Sequence, residues 1–537
     1  AGTGKTHILI AKYIDLLESG CNPRDILALT FTRKAAAEMK ERVEAAIDKR
    51  ASENPSIWRQ IRDEFIWADI STFHSFCLKV LHEFPIEANV DPDFTIIDEL
   101  QAGRLQEDAL EKCLHMPGQE SYESICRLLA DTDEWHVKGY LRELYRNRIP
   151  SEDFFKELDR DDDAIIEIWK SQFGGYQRDL FQNFQSNGDL CNAIRELHRL
   201  VSACRKDKDG AVKYLRSIQP HLVDLIEQKS TEAALSAMIE ISGIRGRTNM
   251  GSASNWKPED LKSLRNSYAT LQSFLAANEP QLEVQLGDES FLKYTLGFLR
   301  DLRVAFREYL KHIEELKRKM GGIDFSDMIY AAYCLFRDHE DLVRDQFRNR
   351  YQCILVDEFQ DTDPIQCRIL WTILGGQKEK SDRLFVVGDP KQSIYLFRDA
   401  DVVLFKEMQE IISTDLKGKI VPLDINFRSA PEIVYFVNYL FSQILSPSSK
   451  PWEFGYDPLE VSSERINDSG SVEIMIAPSA MDAEERAKKE AEMIARRIQN
   501  LVESGEKKIY WDESKRRLSS PRPAQYGDIA ILLQRRT

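Results

Sequence analysis

The sequence predicts an α/β protein in which a parallel sheet flanked by helices is interrupted by a large helical insertion. Three observations carry this reading. Apolar runs at Ile26 to Thr32, Ile354 to Val356 and Leu384 to Val387 each end in polar residues, as buried parallel strands do at the carboxyl edge of a sheet. Helical spacing from Arg33 to Ile47 follows the first run directly. Between Asp91 and Met320 strand-like runs become rare, and long, charged amphipathic segments take over. At 537 residues the chain exceeds what one hydrophobic core organises, and about three or four folding units are expected.

Residues 1–90 form the first part of the sheet domain and 91–320 the insertion. Residues 321–410 return to the sheet domain, and 411–537 begin a second α/β domain. Within the insertion, Leu299, Leu302, Phe306, Leu310, Ile313 and Met320 recur every three or four positions. This is one stripe of a helix from Phe291 to Met320, stopped by Gly321-Gly322. The aromatic residues of the insertion are expected in its core. In the second domain, Val472 to Ile476 and Asp528 to Leu533 read as strands, with a charged helix from Ala483 to Val502 between them. Ser446 to Gly470, rich in Ser, Pro and charge, reads as a surface loop. The chain stops at Thr537, directly after an expected strand, so the natural protein is expected to continue.

Composition excludes several classes. No run approaches the roughly 20 apolar residues that a membrane span needs, so no membrane partner is expected. The nine cysteines stand singly, without the paired spacing of a zinc site or disulfide framework, and read as reduced thiols of a cytoplasmic protein. A net charge of −16 argues against a polycation that coats nucleic acid; any nucleic-acid binding must come from a local groove.

Four strings carry chemistry. Ala1-Gly2-Thr3-Gly4-Lys5-Thr6 is the back end of a phosphate-binding P-loop, whose first glycine would fall before Ala1. Its glycines let backbone N–H groups approach phosphates, Lys5 would neutralise their charge, and Thr6 would hold Mg²⁺. Asp357-Glu358, at the end of an apolar run, suits metal coordination by Asp357 and activation of a water by Glu358. In VGDPKQSIY, Gln392 can bond a γ-phosphate and lose that bond on hydrolysis, while Tyr395 and Phe397 could stack on bases. Asn426-Phe427-Arg428-Ser429 offers an aromatic for an adenine face and an arginine for transition-state charge. Each string alone also fits a bland reading: an acidic loop for Asp357-Glu358, core for both aromatics.

Together and in this order, the strings resemble motifs I, II, III and IV of the UvrD/Rep/PcrA family of superfamily 1 DNA helicases. Thr30 to Met39 resembles motif Ia, Ser71 to Phe76 the adjacent DNA-contacting motif, and Asp324 to Asp327 the short motif ahead of motif II. ISTFHSFCLKVL, VDEFQDTDPIQ and FVVGDPKQSIYLFR look closest to AddA and the exodeoxyribonuclease V beta subunit. The resemblance implies a RecA-like P-loop NTPase domain with an inserted helical domain, followed by the first part of a second RecA-like domain. It implies an ATP- and Mg²⁺-dependent 3′–5′ translocase on single-stranded or 3′-tailed duplex DNA, in repair or recombination, and it allows for a nuclease-bearing partner subunit. Nucleotide would then be bound by Ala1 to His7 and Phe427, the metal by Thr6 and Asp357, and hydrolysis would be driven by Glu358, Gln392 and Arg428. Phe31, Thr32, Thr72, Phe73, His74, Tyr395 and Phe397 would meet DNA.

Departures bear on this. His7 stands where many relatives place an arginine near the adenine, and Phe397 replaces a tryptophan. Motifs V and VI are not present, so the chain as given is expected to be a poor ATPase. The rival is a non-hydrolysing P-loop remnant that holds DNA or a partner. Such a remnant would not need Lys5, Glu358, Gln392 and Arg428, all of which are retained.

Overall fold

The computed structural model describes residues 2–203, 209–227, 230–244, 251–278, 282, 289–339, 345–375, 383–394, 401–445, 453–476, 483–506, 508–511 and 517–533. The chain divides into two compact units, Ala1–Asp98 with Gly321–Thr537, and Glu99–Met320.

The first unit is built on a four-stranded parallel sheet in the order Asp69–Thr72, Ile26–Thr30, Cys353–Val356, Leu384–Val386. Ile26–Thr30 is buried along its whole length because both of its faces are covered. Alternation sends Ile26 and Ala28 to one side, with Leu355 and Ile70, where they meet Leu9, Tyr13 and Ile14 of the helix Lys5–Glu18 and Met39, Val43 and Ile47 of the helix Arg33–Glu53. Leu27 and Leu29 face the other side with Ile354 and Val356, against Phe76, Val80, Phe336 and Leu370. The helices on that side are Phe73–Glu83, Phe325–Asp338 and Pro364–Leu374. This is the α/β sandwich expected, and all its loops at the carboxyl edge lie on one rim.

Thr95–Ile96 pairs in parallel with Gly322–Ile323, so residues 91–98 belong with the sheet unit. The residues from 411 onward likewise fall in that same unit. The second unit is helical, and its longest helix, Glu289–Met320, stops where Gly321 takes a positive φ of 61°. Its buried stripe includes Leu296, Leu302, Phe306, Tyr309 and Ile313, packed on Leu110, Leu128, Leu141 and Phe155. Met320 is 48% exposed and drops out of the expected stripe, while Lys317 is buried and donates to the Tyr145 hydroxyl at 2.8 Å. A second cluster in this unit gathers Phe184, Leu197, Leu215, Ile218 and Leu264. The expectation of core aromatics holds for Phe306 and Tyr309 but not for Trp135 and Tyr176, which are exposed.

Two expected strands do not form. Val472 to Ile476 and Ile529 to Leu533 are not strand, and Asp528 ends the turn Tyr526–Asp528; Ile474, Ile476, Leu532 and Leu533 are exposed. Alternation gives a segment a strand-like face, yet a strand exists only where a neighbour takes its backbone N–H and C=O groups. The helix between them runs from Ala483 to Ser504. No described helix is long and apolar enough to cross a membrane.

Phe306 is fully buried and packs beside Phe155, with ring centroids 5.9 Å apart. Phe306→Ala is expected to cost the helical unit about 3–5 kcal/mol, read from denaturant unfolding of the whole chain. A loss below about 1 kcal/mol would show that the stripe is not its core.

Candidate functional site

The site begins where glycine is required. Gly2 and Gly4 have φ of 84° and 80°, a region that side chains rarely enter. A Cβ on Gly2 would stand 2.7 Å from the Arg428 Cβ, so the loop at 426–428 rests directly on this segment. The Phe427 N–H donates to the Gly2 carbonyl at 2.9 Å. Gly4 opens the helix Lys5–Glu18 without a side-chain cap, which leaves first-turn N–H groups for an anion. Lys5 is buried, Thr3 and Thr6 are half-buried, and His7 is exposed. Ala1 lies outside the described residues.

The second element is the end of the apolar strand Cys353–Val356. Asp357 is 6% exposed, and its N–H continues the ladder to the Leu29 carbonyl at 2.9 Å. Glu358 turns the chain with φ 49° and ψ 48°, a left-handed conformation that costs a residue with a side chain about 1–2 kcal/mol. That turn brings its carboxylate onto the Lys5 ammonium, which donates to Oε2. Burial, followed by the Glu358 charge, pushes the Asp357 carboxyl up to about 6. Asp361 is raised to about 6 by the same two causes in the same order, and its Oδ1 is buried without a hydrogen-bond partner among the described residues. Three carboxylates thus face one ammonium. Carboxylate oxygens suit a hard divalent cation of the Mg²⁺ type, and Asp357 is the buried one at the strand end.

The third element follows Leu384–Val386. The Asp389 N–H donates to Gln360 Oε1 at 2.8 Å, and Gln392 Nε2 donates to Asp389 Oδ2 at 2.6 Å. Burial alone would raise the Asp389 carboxyl, but the Lys391 charge and the Gln392 hydrogen bond outweigh it and hold it below the ordinary value. Tyr395 and Phe397 lie outside the described residues.

The fourth element is the turn at Asn426. Its Oδ1 accepts the N–H groups of Arg428 at 2.9 Å and Ser429 at 2.8 Å, leaving the Phe427 ring and Arg428 exposed beside the glycine segment. Arg465 braces this turn. It donates to the Phe427 carbonyl at 3.1 Å, lies 3.9 Å over the Trp511 ring, and pairs with Asp468 at 3.0 Å. Trp511 Nε1 donates to the same Asp468 oxygen at 3.0 Å. Sequence reading missed Arg465, Asp468 and Trp511, because nothing local marks a brace that closes only in space. Gln360 and Asp361 stand inside a motif string, yet no role for either was legible there.

The expected DNA residues separate by burial. Phe31 is half-buried and Thr32 exposed at the carboxyl end of Ile26–Thr30, with the Thr32 hydroxyl accepting from the Ala35 N–H at 3.1 Å. His74 is half-buried, its ring edge-on to Phe325 at 5.8 Å. Thr72 and Phe73 are each 6% exposed. The Thr72 hydroxyl accepts from the Ser75 N–H at 3.1 Å and so caps the following helix, and Phe73 joins the sheet core. Elsewhere, Glu111, His115 and Glu134 cluster on the helical unit, but Lys138 already ion-pairs with both glutamates there.

A family model described as UvrD/REP helicase N-terminal domain matches residues 1–412. Three curated relatives are each named as the same subunit of an ATP-dependent helicase/nuclease. The chain is 27% identical to that of Desulforamulus reducens, covering 100% of this chain and 47% of the relative. It is 28% identical to that of Bacillus cytotoxicus, over 99% and 45% of the two chains. With that of Listeria monocytogenes it shares 25% identity, over 100% and 46%. The chain spans less than half the length of these relatives.

The folded chain holds the Asp357 and Asp361 protons more tightly than the unfolded chain does. Their contribution therefore favours folding most below the ordinary value of 3.8 and is lost as pH rises through about 6. Asp361→Asn removes one of these charges. It is expected to stabilise the nucleotide-free protein at pH 8 by about 1–2 kcal/mol and to change little at pH 4, measured by urea unfolding. An equal effect at both pH values would contradict this account of the cluster.

Proposed function

The chain belongs to the UvrD/REP helicase family, and we propose that it supplies the motor of an ATP-dependent 3′–5′ DNA helicase or translocase acting on single-stranded DNA in repair or recombination. The observation that carries this reading is the meeting of Lys5, Asp357 and Glu358 on one rim, with Gln392 linked to them through Gln360 and Asp389. ATP phosphates would lie on the Ala1–Thr6 segment and the first turn of the helix Lys5–Glu18, with Phe427 against the adenine and His7 beside it. Thr6 and Asp357 would hold Mg²⁺, which when bound neutralises phosphate charge.

Lys5 is engaged by Glu358 in the nucleotide-free chain. An incoming triphosphate competes for that ammonium and releases Glu358, which then takes a proton from the attacking water. Arg428, exposed at the end of the braced turn, meets charge that develops on the transferred phosphoryl group. Gln392 reads the presence of the γ-phosphate. Phe31, Thr32 and His74 would grip the single strand, with Tyr395 and Phe397 stacking on bases, a mode that tolerates any sequence. The substrate is single-stranded or 3′-tailed duplex DNA in the cytoplasm, at the nucleoid. The helicase/nuclease name that the relatives carry supports a nuclease-bearing partner subunit.

The rival reading, a non-hydrolysing P-loop remnant, has no use for a strained Glu358 held in a network with Lys5. Two variants of the full-length protein separate the roles. Glu358→Gln is expected to lower ATP turnover at least about 100-fold while leaving binding of a non-hydrolysable analogue unchanged or tighter, because Lys5 loses its competitor. Surviving hydrolysis would remove Glu358 from the role of base. Phe31→Ala is expected to weaken single-strand binding about tenfold in fluorescence anisotropy, with ATP affinity unaltered. An unchanged DNA affinity would return Phe31 to the core.

A further inference from the structure

Gln360 stands between the two loops that the proposed hydrolysis uses, and its side chain is 2% exposed. Its amide has three neighbours, and each one fixes an end. Nε2 donates to Glu358 Oε2 at 2.9 Å and to Asp361 Oδ2 at 3.2 Å. Oε1 accepts the Asp389 N–H at 2.8 Å. A flipped amide would set oxygen against two carboxylates and hydrogen against an N–H, so the orientation is forced by the network. Asp389 in turn holds Gln392 Nε2 at 2.6 Å. One continuous hydrogen-bonded path therefore runs from Glu358 through Gln360 and Asp389 to Gln392.

We infer that Gln360 is a positioning residue that locks the Glu358 carboxylate to the 388–392 loop, so that orientation of the base and reading of the γ-phosphate depend on one side chain. The inference rests on the ATPase reading above. Among the described residues, the Glu358 side chain takes hydrogen bonds from Lys5 and Gln360. When Lys5 turns to the phosphates, Gln360 is the donor that stays. A neutral amide suits this position because it orients a carboxylate without neutralising it, whereas a cation in its place would depress the basicity the reaction needs. A Cβ on Gly388 would stand 2.6 Å from Phe405 Cε2, 2.7 Å from Gln360 Oε1 and 3.2 Å from the Phe359 nitrogen, so a side chain there would crowd the Phe405 ring as well as the amide.

The link has two halves that substitution separates. Gln360→Glu keeps the shape and the acceptor for the Asp389 N–H but loses the donors to Glu358 and Asp361. Gln360→Leu loses both halves. The measurement, on full-length protein at pH 8 with single-stranded DNA present, is kcat for ATP together with the affinity ratio of a non-hydrolysable ATP analogue over ADP. Gln360→Glu is expected to lower kcat about 100-fold and leave the affinity ratio within about twofold of wild type. Gln360→Leu is expected to lower kcat equally and shrink the ratio about tenfold. A residue that merely filled space would not split the two readouts in this way. Gln360→Glu turning over within about threefold of wild type overturns the inference, and so does a folded Gln360→Leu with an unchanged ratio. If the leucine variant does not fold, the near-isosteric glutamate variant decides alone. Absence of hydrolysis by the wild-type protein would instead overturn the ATPase reading, and the inference with it.

Discussion

The ion pair between Lys5 and Glu358 is the contact on which the rest of this site depends. A buried ammonium is costly unless it is paired, and the half-buried Glu358 carboxylate supplies that partner for Lys5. The pair can form only because the helix Lys5–Glu18 starts, and the strand Cys353–Val356 ends, on the same rim of a parallel sheet. Glu358 pays for the meeting with a left-handed backbone. The arrangement is poised: a ligand bearing several negative charges can take the lysine, and the carboxylate then keeps Gln360 as its donor beside two further acids.

What holds the four loops in place is close backbone approach supported by side chains that were not selected for chemistry. Gly2 admits the Arg428 Cβ and the Asn426 side chain, and Gly388 admits Phe405 and Gln360. Arg465, flattened on Trp511 and held by Asp468, fixes the Phe427 carbonyl, so the exposed Phe427 and Arg428 project from a rigid turn. A charged guanidinium stacked on indole and bonded at its edge is pre-organised in a way a lysine could not match.

The sheet and the long helix were legible because periodicity is local. Ile26–Thr30 alternates between two buried faces, and Glu289–Met320 carries one apolar stripe. The reactive strings were legible for a similar reason: phosphate cradling and water activation restrict residue types over a few adjacent positions. Burial set by distant elements was not legible. Phe73 and Phe31 look alike in sequence, and only packing against the helix Phe325–Asp338 and its neighbours makes Phe73 core. The role of Gln360 depends on Asp389, 29 residues away, and that of Arg465 on Phe427, 38 residues away. Val472 to Ile476 is rich in apolar residues and still formed no strand, because a strand needs a partner that its own sequence does not contain.

The most direct test of the motor account is the rate of ATP hydrolysis by the full-length protein with and without single-stranded DNA. Hydrolysis stimulated at least about tenfold by the DNA is the expected result, since the same rim is read as carrying both the base and the strand contacts. No hydrolysis under either condition would contradict the account and leave the Lys5–Glu358 pair as the lock of a binding protein.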